Sequence, residues 1–207
     1  MVDGAAPARP PRRRLPAEAR RTQLVEATVR LLARDGFVRT TSDAITAEAG
    51  VSKGLLWRHF DDLTDLLRES GLHALRQLTR AVADQVDLTA PVPQVIRQAI
   101  VVASRVPTRL PDEYRAIQQL VGNLRDADGV LMASLADLDE LHSGQERLFR
   151  RGQQEGDIRS DIDARTMAVT YQAAVDAMIE RLQADPGLDP DTCARELGNL
   201  LLGGFTV

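Results

Sequence analysis

Lys53 and Trp57 are the single lysine and the single tryptophan of a 207-residue chain that otherwise takes its positive charge from arginine. They fall in the run VSKGLLWRHFDD at residues 51 to 62, beside Ser52, Gly54, Leu55, Arg58 and His59. An ammonium, an indole N–H, a guanidinium and an imidazole within seven positions can donate to phosphate oxygens or base edges. Thr40 and Thr41 place two hydroxyls a short distance upstream. Bond-making chemistry is poorly served by comparison. Asp61 and Asp62 are adjacent and point apart on a helix, where they suit its N-terminus instead. His59, His73 and His142 lack metal-ligand spacing, and no glycine-rich phosphate loop follows a strand. No catalytic residue, metal site or cofactor is expected.

A second set of polar side chains interrupts apolar stripes. His142 and Gln145 lie in the helical series Leu131, Leu135, Leu138, His142, Gln145, Phe149. Tyr114 and Gln118 stand one turn apart. Such groups need partners when buried, which a small ligand or a neighbouring carbonyl would supply, and the plainer reading of His142 is a core histidine. With aromatics at 3% of the chain, any pocket is aliphatic with few polar anchors rather than a cage of rings.

The elements that must position these residues are helices, because the apolar positions recur at three and four and no period-2 strand is convincing. The fold class is all-α. AEARRTQLVEATVRLLARDG sets Leu24, Ala27, Leu31 and Leu32 on a first helix ended by Gly36. Two short segments, TTSDAITAEAG and SKGLLWRHF, follow with Gly50-Val51-Ser52 between them, a helix-turn-helix pattern in which Ser52 caps the second helix. Ile45, Ala49, Val51, Leu56 and Phe60 form the small core beneath it. A long helix then runs from about Asp62 to Asp87, with Gly71 interrupting its apolar stripe as a candidate bend. Pro91, Pro93, Pro107 and Pro111 divide residues 91 to 121 into two helices. Further helices span about 127 to 155, 163 to 184 and 189 to 202. The last two carry broad apolar faces, and Met167, Tyr171, Ala174, Met178, Leu197 and Leu201 are read as the seam of a homodimer, the alternative being packing within their own chain. Cys193 reads as a small core residue.

Charge divides the chain unevenly. Residues 1 to 60 hold 11 basic and 6 acidic side chains, although the whole carries a net charge of −4. A basic head on an acidic body implies that only the head meets a polyanion. Arg12, Arg13, Arg14, Arg20 and Arg21 precede or open the first helix, and the first three make an arm suited to an A·T-rich minor groove or else a terminus with no fixed partner. One cysteine excludes an intrachain disulfide, and no apolar run is long enough to cross a membrane. A cytoplasmic protein with no membrane partner is expected, organised as a basic arm (1–15), a helix-turn-helix domain (16–61) and a helical body (62–207).

The stretch RRTQLVEATVRLLARDGFVRTTSDAITAEAGVSKGLLWRHFDDLTDLL resembles the DNA-binding domain of TetR-family transcriptional regulators over about 48 residues. The marks are Gly36-Phe37, Thr40, AGVSKG and an aromatic-x-His-Phe ending at Phe60. The resemblance implies a three-helix DNA-binding domain on a ligand-binding and dimerisation domain. It further implies a homodimer that represses from a palindromic double-stranded DNA operator and is released by a small-molecule effector. By position, Thr40 caps helix two and Thr41 meets phosphate beside it; Ser52, Lys53, Gly54 and Leu55 lead to the bases; Trp57, Arg58 and His59 lie near the backbone. Leu55 and Leu63 depart from the family pattern, which implies an unusual operator and a larger role for the arm.

Overall fold

The computed structural model describes residues 16–125 and 139–207. No strand forms among the described residues; an isolated antiparallel bridge joins Ile158 to Thr206. Helix α1 (Ala17–Asp35) stops at Gly36, whose φ of 81° turns the chain out of the helix while its N–H reaches Leu32 O at 3.1 Å. A 3-10 turn (Phe37–Arg39) leads into α2 (Ser42–Ala49). Gly50 then adopts φ 65° and ψ 37°, the left-handed conformation that a residue with a side chain rarely takes. That turn swings the chain into α3 (Lys53–Leu56).

Helix α4 (Leu63–Ala83) is capped as its sequence suggested: Asp62 accepts from Asp65 N at 2.8 Å, and Asp65 reaches back to Asp61 N at 3.2 Å. It runs through Gly71 without a break. The glycine serves packing, since a Cβ there would lie 2.9 Å from Leu120 Cδ1. Residues 91 to 121 form not two helices but the start of three: α5 (Val92–Ala103), the single turn α6 (Val106–Arg109) and α7 (Pro111–Asn123). Pro107 stands in the first turn of α6 and Pro111 opens α7, so α6 is held to four residues. Helix α8 is described over Asp139–Glu155 and ends before Gly156 (φ 82°); its expected beginning, 127 to 138, lies outside the described residues. Asp163 and Asp189 cap α9 (Ala164–Ala184) and α10 (Pro190–Phe205), and hydrogen bonds from Thr166 and Thr192 hold both carboxyls below the usual aspartate range.

Three apolar clusters hold these helices. The first joins α1, α2, α3 and the start of α4 through Leu24, Ile45, Leu56 and Leu66, all fully buried. Each contributes about 1.5–3 kcal/mol relative to exposure. The second, including Leu32, Leu67, Ala116 and Leu120, ties α1 to α4 and α7. Leu63 packs against both clusters, which accounts for an apolar residue at the head of α4. The third and largest fills the space between α5, α8, α9 and α10 around Ile96, Ile100, Phe149, Met167 and Ala168.

Candidate nucleic-acid interface

The helix-turn-helix is built from α2 and α3. Ser52 Oγ accepts from Leu55 N at 3.3 Å, and Trp57 N donates to Lys53 O at 3.1 Å to close one α-helical turn. Bonds from Arg58 N to Leu55 O and from His59 N to Leu56 O then tighten the chain toward Phe60. This winding buries Leu56 and Phe60 and leaves Lys53, Gly54, Trp57 and Arg58 exposed, with Leu55 and His59 half-buried. Trp57 is 41% exposed although it is the only indole in the chain. Thr46, buried on α2, turns its hydroxyl back to Ser42 O and Asp43 O.

Thr40 does not cap α2. It is 3% exposed and donates its hydroxyl to Gly36 O at 2.9 Å, so the turn after α1 claims it. The cap is Thr41, which remains exposed and accepts from Ala44 N at 3.3 Å. A one-residue shift in register therefore exchanges the expected roles. Arg39, which the sequence reading passed over, is exposed two positions before this cap, and its Nε donates to Asp35 O at 2.8 Å.

Charge on this surface is finely balanced. Lys53 Nζ lies 2.7 Å from Asp43 Oδ1, across the gap between the first turns of α3 and α2. Glu48 is held by Arg30 and Arg34 of α1, whose hydrogen bonds keep its carboxyl below the usual range. Arg21, near the start of α1, folds back onto its own domain. Its guanidinium lies 4.2 Å from the Phe60 ring centre, pairs with Glu69 of α4 and donates to the His59 carbonyl. Arg20 turns to Gln23. Arg12, Arg13 and Arg14 lie outside the described residues.

The candidate effector residues fall into two groups that α9 brings together. Gln118 donates to Tyr114 OH at 3.0 Å on α7. Gln145 of α8 donates to Gln172 Oε1 at 2.6 Å, and Gln172 donates onward to Asp176 Oδ1 at 2.8 Å. Desolvation raises the Asp176 carboxyl, and the charge on Glu180 adds to the shift; burial also raises the Tyr114 phenol, and the charges on Glu180 and Asp176 push it the same way. Gln172 and Asp176 were missed because nothing marks them on α9 until α7 and α8 pack against it. His142 is buried, at 5% exposure. Phe149 is a core residue, edge-on to Tyr171 and Phe205 at 6.2 and 5.3 Å. Leu131, Leu135 and Leu138 lie outside the described residues.

The residues read as a dimer seam mostly face their own chain. Met167, Tyr171, Met178 and Leu201 are 1%, 8%, 8% and 8% exposed within the protomer, and burial pushes the Tyr171 phenol up. Ala174 and Leu197 are half-buried against the same cluster. The alternative of packing within the chain holds for these side chains, because α5 and α8 pack on the apolar faces of α9 and α10. Among the described residues no group of acidic, histidine or cysteine side chains has the geometry to hold a metal, and no helix is long and apolar enough to cross a membrane.

Residues 24–70 match the family described as bacterial regulatory proteins, tetR family. The HTH-type transcriptional regulator BetI of Burkholderia thailandensis is 31% identical over 93 residues, 45% of this chain and 48% of BetI. The chain thus spans about half the length of the curated relatives it matches. Among solved structures, TylP, a TetR regulator from Streptomyces fradiae, superposes with a TM-score of 0.70 at 21% identity, covering 93% of this chain and 89% of TylP. NalD of Pseudomonas aeruginosa, described as the secondary repressor of the MexAB-OprM multidrug efflux pump, gives 0.66 at 21% identity over 92% of this chain and 97% of its own. Those structural likenesses concern the fold. Residues 24–70 thus carry the helix-turn-helix segment of the tetR family, and the chain as a whole shares the fold of these solved regulators.

Proposed function

We propose that the protein is a transcriptional regulator that binds operator DNA as a homodimer, acts as a repressor, and is released by a small molecule. The observation that carries this reading is the surface of α3, where Lys53, Gly54, Trp57 and Arg58 stand outward on a turn whose other side is buried. In the docked geometry of a helix-turn-helix, the start of the second helix meets base edges and its end meets the backbone. Lys53 and Gly54 then approach bases, Leu55 touches a thymine methyl, and Trp57, Arg58 and His59 address phosphates. Among the described residues no neighbour comes within 4 Å of a Cβ built on Gly54, so none of them requires a glycine there. Thr41, by its exposed hydroxyl, takes the phosphate role at the head of α2; Thr40 supports the turn behind it.

Repression is favoured by the description of NalD, a repressor of the same fold. The effector site rests on the polar chain Gln145–Gln172–Asp176 and on Tyr114 beside it, which offer hydrogen-bond acceptors and one carboxyl at the junction of α7, α8 and α9. A ligand there would bias α4 and α7, which share a cluster with α1, and its coupling to operator would be reciprocal.

The test is selection of duplexes from a random library, followed by anisotropy titration of the recovered duplex and of random-sequence duplex at several salt concentrations. The recovered duplex is expected to bind at least 1,000-fold more tightly in order of magnitude, with Lys53→Ala and Trp57→Ala each losing about 1–3 kcal/mol of that binding. Equal affinity for both duplexes would remove the reading; intact binding in both variants would move the contact away from α3.

A further inference from the structure

We propose that Asp43 is a specificity-determining residue that makes Lys53 read a base edge in preference to a phosphate. This inference rests on the DNA-binding role proposed for α3. Residues 41 to 60 contain two basic side chains, Lys53 and Arg58, and two acidic ones, Asp43 and Glu48, so the reading unit has no net positive charge of its own. Glu48 is spent on Arg30 and Arg34 of α1. Asp43 is not. It stands 76% exposed in the first turn of α2 and holds the Lys53 ammonium at 2.7 Å, with Lys53 itself 52% exposed.

An exposed ion pair of this kind contributes little to stability, and its ammonium is readily drawn away by a better acceptor. The carboxylate is fixed differently. Its short side chain rises from a helix anchored by Ile45 and Ala49 in the core, so Asp43 stays where it is when Lys53 moves. Any group that takes the ammonium must therefore come within a few ångströms of that negative charge. A phosphate pays like-charge repulsion there, whereas the O6 and N7 of guanine or the O4 of thymine are neutral acceptors and do not. The pair thus subtracts the attraction of Lys53 for DNA backbone while leaving its attraction for a base edge. In a chain whose other nearby cations are arginines, the one lysine sits opposite the one carboxylate that can filter it.

Asp43→Asn keeps a polar group that suits a helix N-terminus and removes only the charge. Binding of the variant is measured by anisotropy on random-sequence duplex and on the duplex recovered by selection with the unaltered protein. Expected for Asp43→Asn is binding to random duplex tightened on the order of five-fold at low salt, a salt slope steeper by about 0.9, and less than two-fold change on the recovered duplex. Equal tightening on both duplexes, or no change on random duplex, overturns the proposal. Weakened binding to the recovered duplex with an unchanged melting temperature also overturns it, since Asp43 would then touch the operator itself. If the unaltered protein prefers no duplex, the DNA-binding reading fails first, and that is known before the variant is made.

Discussion

Arg21 is the residue that ties the reading unit to the body. One guanidinium covers the Phe60 ring at 4.2 Å, forks onto Glu69 of α4 and donates to the carbonyl of His59, where α3 has just ended. A lysine could carry the charge but not the plane or the fork. Arg21→Lys is therefore expected to cost about 1–2 kcal/mol of stability in urea unfolding. It should also change the emission of Trp57, the only tryptophan and a reporter inside the reading helix. Glu69→Gln should move the same emission. If neither variant alters Trp57 while stability falls, Arg21 is a prop for α1 and has no hold on α3. Its partners were not legible in the sequence, because arginine at the start of an amphipathic helix looks the same whether it faces solvent or folds inward. Thr40 and Thr41 posed the same difficulty: two identical side chains, one capping and one buried, are separated only by where the 3-10 turn after Gly36 ends.

Helices were far more legible than the contacts between them. Leu24, Ala27, Leu31 and Leu32 are buried as their spacing required, and Gly36, Gly50 and Gly156 end helices with positive φ. Asp62, Asp163 and Asp189 announce α4, α9 and α10 by local hydrogen bonds that sequence neighbours supply. What spacing does not contain is which helix approaches which. Gly152 shows this: inside α8 it has no turn to make, yet a Cβ there would lie 2.5 Å from Ile158 Cγ1 and 3.0 Å from Val92 Cβ. The glycine lets α8 press against α5 and the turn after Gly156. Gly152→Ala is expected to lower stability by about 1–3 kcal/mol through overpacking. Gly144→Ala on the same helix, whose Cβ would meet only Arg147 Nη2 at 3.8 Å, should gain up to about 1 kcal/mol from helix propensity. Opposite signs in urea unfolding check both, and a gain at Gly152 would mean that α8 and α5 are less closely packed. The polar chain from Gln145 through Gln172 to Asp176 was hidden for the same reason, being assembled from helices far apart in sequence.

A dimer must use surface that the protomer leaves open, and this excludes most of the apolar side chains that periodicity selects on α9 and α10. Those helices are wide enough to have two uses. Their inner faces close the largest core, while Val169, Ala173 and Ala177 on α9 and Leu200, Gly203 and Gly204 on α10 remain exposed. Leu200 is 74% exposed, and among the described residues no neighbour lies within 4 Å of a Cβ built on either glycine. Residues 200, 203 and 204 follow helical spacing, so small and apolar groups share one outward face where a second helix can come close. Leu200→Arg is accordingly expected to leave the melting of the protomer fold nearly unchanged by circular dichroism, since the side chain touches little of its own chain. Sedimentation should report a monomer, and binding to a two-half-site duplex should weaken by more than about ten-fold, because one reading helix no longer recruits the other. Met167→Arg separates the two faces of the same helix pair: with Met167 at 1% exposure, the charge should unfold the protomer instead of parting the dimer. A dimer that survives Leu200→Arg with operator affinity intact would move the interface off the outward face of α10.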